Sequence, residues 1–248
     1  MELLTASSLS VPHGFPDRTG GVSEAPFASL NTSFVVGDEP ERVRENLRRL
    51  ARAAKVQPER LFSVTQVHGT RVVFAPDSTP STEADAVWTD VPGTAVGVRT
   101  ADCVPIMIED PRGRVAAVHA GWRGVIDEIV ARTIDVLVGQ GARVEELKVG
   151  VGPCIQRCCF EVDGDLPARF EKAFGAGVIA ARPGKAKVHL DLPRAVAQTL
   201  ERAGVKASHV AVLPQCTMCD ERFFSHRREK GLTGRHLSFI SRPNAAAL

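Results

Sequence analysis

Cys103 and His119 fall within one stretch, Gly97 to Gly124 (GVRTADCVPIMIEDPRGRVAAVHAGWRG), at positions that can bring a thiol and an imidazole together. The stretch predicts an apolar strand beginning at Cys103, a turn at Asp110-Pro111-Arg112-Gly113, and a second apolar strand through Val115 and Val118. A glycine-flanked turn into a helix follows. Cys103 then opens the first strand and His119 closes the second, and in an antiparallel pair those two places lie side by side at one end of the sheet. A thiolate and an imidazole converging there make either a metal site or a nucleophile with its base. His68 adds a third group. The segment Leu61 to Gly69 alternates apolar and polar residues as a half-buried strand does, and stops at His68. Two imidazoles and a thiolate form a borderline-soft donor set suited to zinc, and three protein ligands leave one coordination position open, as in catalytic sites. A histidine at a strand end can equally be a hydrogen-bonded structural residue.

The elements around these residues supply candidate anion holders. In His13-Gly14-Phe15-Pro16-Asp17-Arg18-Thr19-Gly20-Gly21, the glycines Gly20 and Gly21 let backbone approach a ligand while Arg18 offers forked donors to phosphate or carboxylate; an ordinary surface turn is the alternative. Asp38 and Glu41 have capping-box spacing before a helix whose buried stripe is Val43, Leu47, Leu50, Ala51 and Ala54. Asn46, Arg48, Arg49 and Arg52 take its other faces, where one arginine, Arg48, could turn inward to an anion. Asp85, in a polar loop running into a short strand, could bond a sugar hydroxyl or base nitrogen, or cap its turn. Asp102, beside Cys103, could orient a ligand from behind or, pointing the other way on the strand, be paired elsewhere. Gly121-Trp122-Arg123-Gly124 opens a helix with Val125, Ile126, Ile129, Val130, Ile134 and Leu137 as its stripe, so Arg123 and free amides would make an anion site beside the metal.

Composition bounds the rest. A chain of 248 residues with 44% hydrophobic and 24% charged residues can bury a full core. A formal charge of +2 without a polybasic run points away from nucleic acid, and no apolar run reaches the roughly 18 residues of a membrane span. The N-terminus lacks a signal-like pattern, so cytoplasmic residence is expected. Six cysteines in a chain this long, with Cys158 and Cys159 adjacent, do not suggest a disulfide framework. Cys154, Cys158 and Cys159 could ligate a metal, with packing as small apolar side chains the favoured role, and the single Cys216-Thr217-Met218-Cys219 motif could bind zinc or cycle as a redox pair, with a structural role favoured for want of a matched pair. Helices are expected near Leu166 to Phe174 and Leu192 to Ala203, with strands through Val210 and Val212 and from Leu237 to Ile240. Phe223-Phe224 beside Arg227-Arg228 could stack a base and hold phosphate, shape a pocket wall, or anchor the core before a solvated turn.

The segments HGFPDRTGGVS, QVHG, TADCVPIMI, VAAVHAGWRG, GPCIQRCCFEV and FFSHRREKGLTGR, in this order, resemble the laccase-domain family of purine nucleoside phosphorylases, whose members are also described as multicopper polyphenol oxidases and peptidoglycan editing factors. The resemblance spans nearly the whole chain. It implies one α/β (mixed α+β) domain over residues 1–248, with mixed sheets flanked by helices, and a zinc ion held by His68, Cys103 and His119. It further implies phosphorolysis of adenosine, guanosine or inosine, cleavage of methylthioadenosine, and deamination of adenosine at the same site. Purine nucleosides and inorganic phosphate are then the partners. Phe160 and His226 stand where the family usually has aromatic residues of another kind, tyrosine in the first case. Copper polyphenol oxidation is a rival reading, but seven histidines without a His-x-His pair suit several copper centres poorly. The other rival is a metal-free cysteine hydrolase acting on a peptidoglycan-related amide, with Cys103 as nucleophile and His119 or His68 as base. Oligomeric state is not encoded in any of these features.

Overall fold

Strand alternation in this chain sorts side chains into layers, because successive residues point to opposite faces of a sheet. The computed structural model describes residues 1–180 and 187–244. Its strands are β1 (Leu3–Leu4), β2 (His13–Pro16), β3 (Leu61–Phe62), β4 (Val72–Phe74), β5 (Ala86–Thr89), β6 (Thr94–Thr100), β7 (Val104–Asp110), β8 (Arg114–Ala120), β9 (Lys148–Val151), β10 (Glu161–Val162), β11 (Ile179–Ala180), β12 (Val188–Leu190), β13 (Val210–Val212) and β14 (His236–Arg242). The helices are α1 (Pro40–Ala53), α2 (Trp122–Ile126), α3 (Ile129–Gly139), α4 (Leu166–Phe174) and α5 (Leu192–Arg202), joined by short 3-10 turns.

A six-stranded sheet runs β13-β9-β7-β8-β5-β4, a five-stranded sheet β1-β2-β14-β6-β3, and a small one β10-β12-β11. Both larger sheets are mixed: β3 joins β6 and β4 joins β5 in parallel, whereas β7 and β8 form the antiparallel hairpin that the Asp110 turn anticipates. Gly113 supplies the turn's left-handed residue at φ +98, and Arg114 pairs with Asp110 across it. Val104, Ile106 and Ile108 of β7 face the helix side, packing with residues of α3 and α5 such as Ile134 and Val196. Met107, one residue out of phase, faces the other sheet and meets Val96, Val98, Phe15 and Ile240. The five-stranded sheet in turn covers α1 through Leu237, Phe239, Leu50 and Ala54. The architecture is thus mixed α+β, with the two main sheets face to face and helices on their outer sides. Among the described residues no helix is long and apolar enough to cross a membrane.

Several local expectations are corrected. The helix α1 starts after Glu39, and no side chain caps it; Asp38 instead accepts hydrogen bonds from Ser23 and Asn31. Asn46 is fully buried, tying together the Val22 amide, Ser23 and the carbonyls of Ser29 and Asn31, so the helix's polar face is partly an internal one. The strand expected to run to His68 ends at Phe62, because the following backbone turns toward Asp85 rather than along a neighbour. The helix after Arg123 breaks at Glu128, a left-handed residue at φ +65, into α2 and α3.

Candidate metal centre and its cavity

Asp85 organises the centre from below. It immediately precedes β5, is wholly buried, and its carboxylate accepts the backbone amides of Val67, His68 and Gly69 at 3.2, 3.0 and 2.6 Å. Three consecutive amides curl around one anion only if the backbone turns sharply, and His68 does so at φ +58. The same carboxylate faces Nδ1 of His119 at 2.7 Å, which places a proton on Nδ1 and makes Nε2 the nitrogen that can meet a metal. His119 lies near the end of β8, opposite Pro105 in the hairpin, so the lateral placement expected for Cys103 and His119 is present with Cys103 one residue before the strand. Cys103 follows Asp102, a left-handed residue at φ +92 fixed by the Thr217 hydroxyl at 2.6 Å and the Arg227 amide at 2.7 Å.

These supports bring the donors together. Cys103 Sγ lies 3.9 Å from His68 Nε2, the two imidazole centroids are 4.9 Å apart, and the three donor atoms all lie within 4.8 Å of one another. A tetrahedral zinc with bonds of about 2.0–2.3 Å sets its ligands about 3.3–3.8 Å apart, so the set fits one such ion with a small closure. Gly121 is a close neighbour: a Cβ there would stand 2.8 Å from His68 Cδ2 and 3.3 Å from Cys103 Sγ.

The electrostatics agree with a cation site. Burial would raise the Cys103 thiol, but His119 and His68 outweigh it and hold it at about 6. Burial opposes charging of His119, yet the Cys103 thiolate and Asp85 carry it to about 9. Burial likewise works against Asp85, and His119 with the loop amides still keeps its carboxyl below the usual range. Without a cation the site is a thiolate–imidazolium pair, and a metal would replace the imidazolium proton.

All three donors line a cavity of about 970 Å³. Phe62, Trp122 and Phe160 give it aromatic walls, and Arg99, Arg227, Arg235 and His226 give it polar ones. Arg99 and Arg235 come from paired strand ends, since Arg99 lies opposite Leu237 and Thr100 opposite His236. Gln66 clamps the Arg99 backbone on both sides, to its amide and its carbonyl at 2.7 Å each. Burial lowers Arg99 to about 10, which leaves it cationic near neutrality.

The other residues singled out in the sequence lie elsewhere. Arg18 bonds Glu229 at 2.9 Å and the Ala28 carbonyl at 2.7 Å while stacking on Phe224, so its guanidinium is a structural clamp. Gly20 and Gly21 are required by close approach to Met1 and to the Ser29-Leu30 backbone, not by a ligand. Arg48 pairs with Glu45 on the exposed face of α1. Arg123 is exposed and lies over the Trp122 ring at 4.3 Å. None of these lines the cavity, and Asp85 offers its oxygens to the protein rather than to a substrate. Arg99 and Arg235 were missed because nothing in their spacing shows that β6 and β14 pair, whereas Arg227 belongs to the Arg227-Arg228 pair that the sequence already offered to a phosphate. The thiols of Cys158, Cys159, Cys216 and Cys219 also converge, which favours the metal-ligating alternative for these residues over separate packing.

Residues 12–243 match the family described as multi-copper polyphenol oxidoreductase laccase. The chain is 39% identical to a purine nucleoside phosphorylase of Deinococcus radiodurans over 98% of this chain and 94% of that protein. It is 41% identical to a purine nucleoside phosphorylase of Pseudomonas aeruginosa, over 90% of each. Among solved structures, YlmD of Geobacillus stearothermophilus superimposes with a TM-score of 0.86 at 34% identity, covering 94% of this chain and 92% of that one. The Bacillus licheniformis protein YfiH gives 0.87 at 31%, covering 92% and 91%.

Proposed function

Because the chain belongs to the multi-copper polyphenol oxidoreductase laccase family, with relatives that bear the name purine nucleoside phosphorylase, we propose that it is a zinc-dependent purine nucleoside phosphorylase. The observation that carries this reading is the meeting of His68, Cys103 and His119 at the wall of a cavity that also presents aromatic rings and guanidinium groups. Its substrates are adenosine, guanosine, inosine and methylthioadenosine, with adenosine deamination at the same site. His68, Cys103 and His119 would hold the zinc, which when bound supplies Lewis acidity and a lowered pKa for water.

The protein's own groups account for much of phosphorolysis. Phosphate oxygen bonds to C1′ of the sugar as the bond from C1′ to the purine nitrogen breaks, and the departing purine takes up a proton. Arg99 and Arg235 hold the phosphate, since two cationic guanidinium groups in a cavity with apolar walls attract an anion strongly and leave it oriented. Trp122 and Phe160 grip the purine by ring contact. His226, on the same wall, is the protein group assigned to protonate the leaving base. Phenylalanine at position 160 retains the stacking surface and lacks a hydroxyl, so base recognition there is by shape.

Copper polyphenol oxidation is disfavoured by the donors. Among the described residues, the clusters able to hold a metal are one Cys-His-His set and one all-cysteine set, whereas multicopper oxidation needs several imidazole-rich centres. The cysteine-hydrolase reading has one observation in its favour: Asp85, His119 and Cys103 are also arranged as an orienting carboxylate, a base and a nucleophile. Metal-analysed protein incubated with adenosine, with and without phosphate, separates them. Adenine and ribose 1-phosphate are expected only with phosphate, and inosine in either case. Cys103→Ala is expected to lose both metal and turnover; phosphorolysis surviving in that variant overturns the zinc mechanism, and a trapped acyl-enzyme on Cys103 establishes the hydrolase.

A further inference from the structure

We propose that Cys158, Cys159, Cys216 and Cys219 form a second metal site, a tetrathiolate that holds one zinc ion and welds two loops of the cavity wall. The four sulfurs lie within 4.8 Å of one another, with Cys219 at 3.6 Å from Cys158 and 3.2 Å from Cys159. Zinc–sulfur bonds of about 2.3 Å place tetrahedral ligands about 3.8 Å apart, so this spacing suits a single ion. A multi-iron cluster divides the four thiolates among two or more irons and needs the sulfurs spread wider. A disulfide would use two of the four and give no reason for the other pair to converge.

The backbone prepares the site. Residues 154–159 and 216–219 come from the ends of the neighbouring strands β9 and β13, and a parallel bridge from Cys154 to Cys216 sets them side by side. The Gln156 amide donates to Cys216 Sγ at 3.4 Å, which fixes that sulfur's position against the neighbouring loop. Four thiolates around Zn²⁺ leave a net charge of −2, and Arg228 stands against this turn, donating to the carbonyls of Thr217 at 2.6 Å and Met218 at 3.2 Å. Two sulfurs from each loop also answer the objection that a lone Cys-x-x-Cys lacks a partner: the adjacent pair Cys158-Cys159 is that partner. Closed by four protein ligands, the site is structural rather than catalytic. It would fix Ile155 and Phe160 on the cavity wall and, through Thr217 and Asp102, the turn that carries Cys103.

Protein purified anaerobically from zinc-supplemented cells is expected to contain about two zinc ions per chain, falling to about one in Cys103→Ala and, independently, to about one in Cys158→Ser/Cys219→Ser. Cobalt added to metal-free Cys103→Ala should give the intense visible bands of a tetrahedral thiolate complex, and the double serine variant should lack them. The substituted side chains are half-buried or exposed, and circular dichroism checks that the variant remains folded. A single zinc per chain that disappears entirely with Cys103→Ala overturns the proposal, as does a disulfide to Cys219 in the anaerobic protein. These readouts do not use nucleoside turnover, so failure of the phosphorylase reading leaves the test intact.

Discussion

Replacing Asp85 by asparagine should uncouple the metal ligands from their support while preserving shape. The carboxylate holds four donors, two on each oxygen: Oδ1 accepts the His68 amide and His119 Nδ1, and Oδ2 accepts the Val67 and Gly69 amides. An asparagine keeps one acceptor oxygen and turns its NH₂ toward the other two donors, so two bonds are lost in either orientation. Hydrogen bonds to a charged acceptor contribute about 1.5–3 kcal/mol each, which puts the loss at about 3–6 kcal/mol. At about 2–4 °C per kcal/mol for a domain of this size, the melting temperature should fall by about 6 °C or more. Loss of a carboxylate that orients a ligating histidine typically weakens metal binding about 10–100-fold. Competition with a chromophoric chelator measures that affinity, and excess zinc should partly restore turnover in Asp85→Asn. Zinc affinity within about twofold of the parent would refute the reasoning, because Asp85 would then be holding the fold and not the ligands.

Three further outcomes are expected. Gly121→Ala sits at an ordinary backbone conformation but pushes a methyl toward His68 and Cys103, so it should weaken zinc binding with little change in circular dichroism; unchanged affinity would mean the two ligands can move apart freely. In metal-free protein, alkylation of Cys103 tracks its thiolate, so the rate should rise through about pH 6 and level off well below the value of 9.0 for an ordinary thiol; mass-resolved iodoacetamide labelling across pH tests this. Arg235→Gln should raise the KM for phosphate by about tenfold or more while leaving the KM for adenosine nearly unchanged, and an equal effect on both would move the phosphate site elsewhere.

Much of the frame could be read before any coordinates. The β7–β8 hairpin follows from two apolar runs about a turn-forming Asp-Pro-Arg-Gly, and the burial of Ile129, Ile134 and Leu137 from helical spacing, because both patterns are local. The donor types in His68, Cys103 and His119 announced metal or thiol chemistry for the same reason: coordination preference belongs to the side chain. Tertiary structure decided what depended on distant pairings. Asp85 could be assigned to ligand support only once the Val67–Gly69 loop was seen to wrap it, and Arg99 and Arg235 became neighbours only when β6 paired with β14. Arg18, Arg48 and Arg123 looked equally suited to an anion in the sequence, yet a guanidinium's role is set by the nearest carboxylate, carbonyl or ring. The two cysteine pairs are some sixty residues apart, and local pattern carries no information about contacts closed over that length; the parallel bridge between their loops supplies it.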